Sequence, residues 1–386
     1  MNAPPFPHAP PYAAQVPPGS VRARATHWDD WSAEMPRARW QALGDAASTP
    51  NPFFEPWYLL PALESFDPER RVQLFTLEIG DLLLGMLPLH TPARYGRWPL
   101  PHRTAWLHAN AFLGAPLVRA GCEALFWQAL LDWADAEPGP ALFLHLAAMP
   151  LEQPLTHVLL DMANAGNRTS ALVMREQRAM LHSPLTPDLY LERALTGKKR
   201  KELRRQHARL AEQGALTFER REDAQGIDAW IDDFLHLERG GWKGTAGSAM
   251  ACAPATETLF RNALQHAAAL GKLERLALVL NGRPIAMLVN FIAPPGSFSY
   301  KTAFDEAFSR FSPGVLLQRE NLALLARDDI GWCDSCAAPD HPMIDSLWTE
   351  RRPIGRISIA IGGTLRRAAF KLLLSLELGR NPTGLK

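Results

Sequence analysis

The densest set of groups able to do chemistry lies in SYKTAFDEAFSRFSPGVLLQREN, residues 299–321. The run reads as a strand ending at Phe304, an acidic pair Asp305–Glu306, a short loop and then a helix. Ser312 is placed to cap that helix, Pro313 suits its first turn, and Gly314 removes the side chain where a ligand would approach the backbone. Pro313 has no N–H, so the outward donors would be those of Gly314, Val315 and Leu316, reinforced by the helix dipole. A helix start of this kind is an anion site, and Arg310 is the nearest cation for a phosphate. A well-capped helix without a ligand would carry the same residues.

A second chemical signal lies upstream. Residues 193–221 hold ten Lys or Arg against three acids. Leu203, His207 and Leu210 fall at i, i+4 and i+7, so a helix over 197–213 can pack one narrow stripe while its basic side chains fan outward, and Gly214 is its stop. Such a helix is either a solvated face or a surface for a phosphate-bearing ligand, a lipid or RNA. Other motifs are missing: Gly197–Lys198 is followed by Lys199 with no P-loop glycine before it, and no GxGxxG, GxSxG or HExxH occurs. Cys333 and Cys336 have CxxC spacing, but Cys122 and Cys252 are too scattered to complete a zinc ribbon. The pair ends a strand rather than opening a helix, which favours ordinary buried thiols beside Asp334 over a redox dithiol.

The elements that must position these groups occur as one order repeated. The first half reads as a strand near Val21, helices over 29–44 and 55–66, strands VQLFTLEI and LLLGMLPLH about a Gly80–Asp81 turn, and an extended TAWLHANAFL. A helix CEALFWQALLDWADA, a strand ALFLHLAAM, a helix over 155–165 and a strand over 169–175 follow. The second half reads as strand ALTFER, helices over 228–239 and 256–270, strands LERLALVL and PIAMLVNFI about Asn281–Gly282–Arg283, strand SFSYKTAF, a helix over 312–327, strand IGWCDS and a late strand RISIAI. This predicts an α/β fold, α+β in the sense of a mixed sheet, in two domains over 21–185 and 190–386 that share a cleft.

Composition agrees. A chain of 386 residues with 47% hydrophobic content fills two cores, and a net charge of +1 argues against a dedicated nucleic-acid coat. No apolar run reaches about 18 residues, so no spanning helix is expected. Residues 1–20 hold seven prolines and no charge, lack the form of a secretory signal and read as a disordered tail. Few cysteines and no signal segment predict a cytoplasmic protein.

SYKTAFDEAFSRFSPGVLL, FLHLERGGWKGTAGSAM and KKRKELRRQHARLAEQG, with WCDSCAAPDHPMIDSLW, together resemble the GNAT-type acetyltransferases of the BioF2-like and cellulose-biosynthesis-protein group, relatives of the Fem-type aminoacyl transferases. The resemblance covers about residues 190–350; the first half shares only element order. It implies two tandem GNAT-like acyl-CoA N-acyltransferase folds, with the acyl-CoA pyrophosphate on Arg310, Ser312, Pro313, Gly314, Val315 and Leu316. Against the family loop [QR]xxGx[GA], residues 310–315 read RFSPGV, with the glycine displaced by one and a proline before it. The corresponding first-half stretch, HANAFLGAPLVRAGCE, has no such loop. Either that half is degenerate and shapes the substrate cleft, or Gly114 and Pro116 form an acceptor loop.

Acyl transfer to an amine needs a base for the ammonium proton, N–H donors for the oxyanion and an acid for the departing thiolate. The candidate bases are Glu238, Asp305, Glu306 and Asp334, and Tyr300 and His341 are candidate donors. Lys243 and Lys301 can pair with phosphate or carboxylate, and Trp242 can wall the pocket. The expected function is transfer from acetyl-CoA or another acyl-CoA, without a metal, to an amine of a sugar, lipid or cell-envelope or polysaccharide precursor. The competing functions are a Fem-like transfer from aminoacyl-tRNA, which the overall charge disfavours, and a non-catalytic role in exopolysaccharide assembly. The terminal GTLRRAAFKLLLSLELG reads as an amphipathic helix with Leu365, Ala369, Leu372, Leu373 and Leu376 on one face. That face covers a sheet edge or lies, as a peripheral contact, on the anionic inner face of a membrane.

Overall fold

The computed structural model describes residues 21–379; the proline-rich stretch 1–20, expected as a tail, lies outside the described residues. The elements run β1 (Val21–His27), α1 (Glu34–Asp45), α2 (Pro56–Phe66), β2 (Gln73–Ile79), β3 (Leu82–His90), β4 (Arg103–Ala105), β5 (Leu117–Val118), α3 (Glu123–Ala136), β6 (Phe143–Pro150), α4 (Pro154–Ala165) and β7 (Ser170–Leu181). They continue as α5 (Pro187–Ala194), α6 (Gly197–Ala211), β8 (Leu216–Arg221), α7 (Ile227–Gly240), α8 (Trp242–Thr245), α9 (Pro254–Ala269), β9 (Leu273–Leu280) and β10 (Arg283–Ala293). The last are β11 (Gly296–Phe304), α10 (Pro313–Asn321), β12 (Trp332–Asp334), α11 (Pro342–Asp345), β13 (Glu350–Ala360) and α12 (Thr364–Leu378).

The chain forms two compact units, one of residues 21–56, 67–175 and 353–379, the other of 57–66 and 176–352. In the first, strands pair in the order β1-β2-β3-β4-β6-β13; the β4–β6 pair is parallel and the other four antiparallel, and the short β5 pairs with β3. In the second the order is β8-β9-β10-β11-β12-β7, with β11–β12 parallel and the other four antiparallel. Each unit is thus a mixed α/β fold on a mixed sheet, and the pairing pattern of one is that of the other.

The units are not the consecutive stretches 21–185 and 190–386. The late strand β13 pairs with β6 through Ile354–Ala360, burying Ile354, Ile357 and Ile359, so it completes the first unit. Strand β7 reaches β12 through Met180 and Leu181 and completes the second. Most of α2 also belongs to the second unit, because Trp57 packs on Phe291 with ring centroids 4.9 Å apart and Tyr58 sits beside Tyr300.

Local chemistry explains the turns. Asn281 and Gly282 both adopt positive φ, 52° and 78°, and Leu280 pairs with Arg283, so β9 and β10 meet in a two-residue hairpin. Between β2 and β3 only Gly80 has positive φ, which accommodates the reversed Gly-Asp order. Asn281 also closes the end of α6: its Oδ1 accepts from the Ala215 amide and its Nδ2 donates to the Gln213 carbonyl. A Cβ on Gly214 would lie 2.1 Å from that Asn281 side chain, which leaves room only for glycine.

Two helices depart from expectation and one matches it. The 312–327 helix is α10 followed by a 3-10 turn at Leu322–Ala326. Helix α6 follows its stripe, with Leu203 and Leu210 in a core with Phe311, Leu316 and Leu317. Helix α12 packs a different face from the expected one: Phe370 and Leu374 are buried with Phe143 and Ala360, whereas Leu365, Leu372 and Leu376 are exposed. No described helix is long and apolar enough to cross a membrane.

Candidate functional site

Strand β11 organises the site. Along β10 its register runs Phe304 to Ala286 through Lys301 to Val289 and then jumps to Ser299 against Asn290, so Tyr300 is the extra residue of a bulge. Bulges re-aim side chains and often border active sites. On the opposite side β11 pairs with β12 only at Gly296–Phe298, against Trp332–Asp334. Strand β12 ends at Asp334, and from Ser299 to Phe304 no described strand pairs with that edge of β11.

Aromatic side chains hold Tyr300 in place. Its ring stacks on Phe291 at 4.5 Å, and its hydroxyl lies 3.2 Å from that of Tyr58. Both phenols are buried, and burial drives both pKa values far above the ordinary tyrosine range, so both stay protonated. Next to them the half-buried Lys301 has its ammonium 5.5 Å from the Tyr300 ring. Burial, and then the charge of Lys243, push its pKa down to about 8. Tyr58 had no local sequence signal, since its partner is 242 residues away.

The four candidate carboxylates all hold structure. Glu238, at the end of α7, is 3% exposed; its Oε1 accepts from Lys243 Nζ at 2.9 Å and its Oε2 from the Met250 amide at 2.7 Å. Lys243 in turn donates to the Thr302 carbonyl on β11. Asp305 caps a 3-10 turn through the Ala307 amide and pairs with Arg283. The exposed Glu306 accepts from the Trp242 amide at 2.6 Å, while the Trp242 ring is exposed. A cavity of about 20 Å³, room for one water, lies between Glu238, Lys243, Thr302 and Glu306.

Asp334 is fully buried and is no accessible base. Its Oδ2 accepts from Arg352 at 2.9 Å, and its Oδ1 accepts from the Cys336 amide and lies 3.5 Å from Arg178. It fixes the turn in which Cys336 adopts φ 52°. Burial, and then the neighbouring Asp334 carboxylate, hold the Cys336 thiol well above its usual pKa, so it is not a ready thiolate. His341 opens α11, and burial followed by the charge of Lys243 lowers its pKa. Its buried Nδ1 has no hydrogen-bond partner among the described residues.

The start of α10 differs from the expected anion loop in three respects. Ser312 has φ 52° and makes no side-chain cap; its hydroxyl accepts from Gln206 of α6 at 3.2 Å. Gly314 is buried, and a Cβ there would meet Met343 Sδ at 2.6 Å and the Phe304 ring at 3.4 Å, so the missing side chain serves helix packing and not ligand approach. The Leu316 amide is bonded to the Ser312 carbonyl, which leaves Gly314 and Val315 as the open donors after Pro313. Arg310 is exposed, with its guanidinium over the Phe311 ring. Thus Glu238, Lys243, Tyr300, Lys301 and His341 form one neighbourhood. Met343 of α11 links it to Gly314, and Arg310 stands outside it. Gln206, Tyr58 and Arg352 are the members that sequence reasoning missed.

The acetyltransferase (GNAT) domain model matches residues 197–341, the stretch that carries β8 to β12 and α10. No curated protein matches the chain. Among solved structures, FemX superposes with a TM-score of 0.55 at 10% identity, covering 87% of this chain and 98% of that one. A conserved protein of unknown function from Bacteroides thetaiotaomicron VPI-5482 gives 0.54 at 10% identity, covering 85% and 98%. At such identities the likeness is one of fold. Residues 197–341 are thus similar to a GNAT-type domain, and the chain as a whole shares the fold of these structures.

Proposed function

We propose that the second unit transfers an acyl group from acetyl-CoA or another acyl-CoA to an amine of a sugar, lipid or envelope precursor. The observation that carries this reading is the β11 edge left without a described partner strand from Ser299 to Phe304, which includes the Tyr300 bulge. The amide-bearing arm of a thioester carrier is an extended chain, and an open strand edge receives such a chain by backbone pairing. The same edge offers N–H donors to the thioester oxygen as it becomes an oxyanion.

Among the candidate groups, Lys301 has the proton affinity suited to neutral-pH chemistry. In its neutral form it takes a proton from the acceptor's ammonium, which leaves a neutral amine to attack the thioester. The Tyr300 hydroxyl, which stays protonated, offers a hydrogen bond to the departing thiolate, which takes its proton from the Lys301 ammonium. The amide of the partly exposed Val315 at the start of α10, with the cations of α6, meets the carrier's phosphates. The likeness to the BioF2-like group points the acceptor towards envelope or polysaccharide chemistry.

Calorimetry with acetyl-CoA and longer acyl-CoAs tests the donor: binding by at least one is expected, and binding by none overturns it. The base must be neutral, so the rate should rise with pH through about 8, and Lys301→Met should abolish that limb while leaving acyl-CoA binding intact. A second reading, transfer from aminoacyl-tRNA, is favoured by Lys198, Lys199, Lys201, Arg204 and Arg209 of α6, which are exposed with no ion-pair partner among the described residues. It requires tRNA binding whose log–log salt slope is about −0.7 to −0.9 per neutralised phosphate.

A further inference from the structure

Helix α12 has two apolar faces and the first unit covers only one. Phe370 and Leu374 are fully buried, yet Leu365, Leu372 and Leu376 are 89%, 64% and 76% exposed. Ala368 and Ala369 are exposed between them, so the open stripe runs 365, 368, 369, 372 and 376, at helical spacing along most of the helix. At the flank of this helix, Tyr95 donates its hydroxyl to Glu377 Oε1 at 2.8 Å. That bond anchors a tight turn in which Tyr95 and Trp98 exchange two backbone hydrogen bonds about Gly96, whose φ is +57°. The turn displays Trp98, 54% exposed, with Arg97 5.0 Å over its ring.

Cations predominate around this apolar surface. Arg94, Arg97, Arg356 and Lys371 are exposed and have no carboxylate partner among the described residues, against the exposed Glu377, which accepts from Tyr95. Arg366 and Arg367 face inward, onto the Ala141 carbonyl and onto Gly362 and Asp135, and do not contribute. Exposed leucines, an indole and unpaired cations together are the composition of an interfacial surface, with the indole at headgroup depth and the cations against lipid phosphates.

We infer that this face of the first unit, formed by α12 and the Tyr95–Trp98 turn, docks on an anionic lipid bilayer and lies in its interface without spanning it. The occupant is lipid rather than a second copy of the chain because four unpaired cations outweigh the Glu377 carboxylate at this surface; a self-complementary contact would set mostly cations against each other. The inference does not depend on the acyl-transfer reading, and its test needs no substrate.

The experiment is sedimentation of the full chain with vesicles of phosphatidylcholine and phosphatidylglycerol, and with phosphatidylcholine alone, at low ionic strength. Binding to the anionic vesicles is expected, weakening as salt rises. Leu372→Glu combined with Leu376→Glu should lower it by about ten-fold or more without changing the melting temperature, because both side chains lie in solvent. Arg94→Gln and Arg97→Gln should each lower it by about five-fold, from roughly 1 kcal/mol per basic residue at an anionic surface. No binding to anionic vesicles, or equal binding by the glutamate variant, overturns the inference. So does a concentration-dependent dimer that the glutamate substitutions dissociate when vesicles bind no protein, since the stripe is then a contact between copies.

Discussion

Replacing Asp334 by Asn separates a structural carboxylate from a catalytic one. The side chain has no exposed surface, and the two guanidiniums against it are almost as deeply buried, Arg352 at 3% and Arg178 at 6%. Asparagine keeps the volume and an acceptor for the Cys336 amide, so the substitution removes little except charge. Arg178 retains Glu176 at 3.5 Å, whereas Arg352 has no other carboxylate in ion-pair reach among the described residues, and its Nη2 already has no hydrogen-bond partner. Breaking a buried pair from one side costs about 3–5 kcal/mol. For a unit of this size that is a fall in melting temperature of about 6–20 °C. Thermal melts by circular dichroism and urea titration measure it. Adding Arg352→Met to Asp334→Asn should recover part of the loss, because the stranded charge goes with it. A shift below about 2 °C refutes the argument. If that small shift comes with lost turnover, Asp334 is a catalytic group after all.

Two further perturbations follow from the geometry. His145 is hydrogen-bonded to Ser358, and burial, followed by the charges of His102 and Arg356, lowers its pKa to about 4; burial also lowers His90 to about 4. Since the unfolded chain binds these protons near 6.5, the stabilisation is complete above about pH 6.5 and is lost as pH falls towards 4, on the order of 3 kcal/mol for His145 alone. Melting temperatures from pH 7 to 4.5 should show that decline, and His145→Asn should flatten it; an unchanged slope rejects the assignment. Gly314→Val should destabilise by about 1–3 kcal/mol through overpacking against Met343 and Phe304, with Met343→Ala relieving much of it. An unshifted urea midpoint for the single variant would mean that the contact yields freely.

Local preferences were enough to determine much of the architecture. Asn281–Gly282 makes its hairpin wherever it is placed, because few other residue pairs accept two successive positive φ values. Leu203 and Leu210 specify which side of the basic helix packs, since its other faces carry charge. The order of strand, acidic pair and helix through 296–321 is likewise local, and with it came the expectation of a repeated mixed α/β unit. The site was decided elsewhere. Whether Glu238 is a base or the partner of Lys243 and the Met250 amide depends on what lies beside it, and nothing in its own segment states that. The bulge at Tyr300 arises from register against β10, and the phenol's partner arrives from α2. The exchange of β7 and β13 depends on which sheet edge each strand meets. Helix α12 shows the limit most plainly: periodicity points to the face of Leu365, Leu372 and Leu376, and only packing against Phe143 and Ala360 selects Phe370 and Leu374 instead. Backbone preference and periodicity act within a few residues, whereas burial, ion pairing and strand register are set by neighbours distant in sequence.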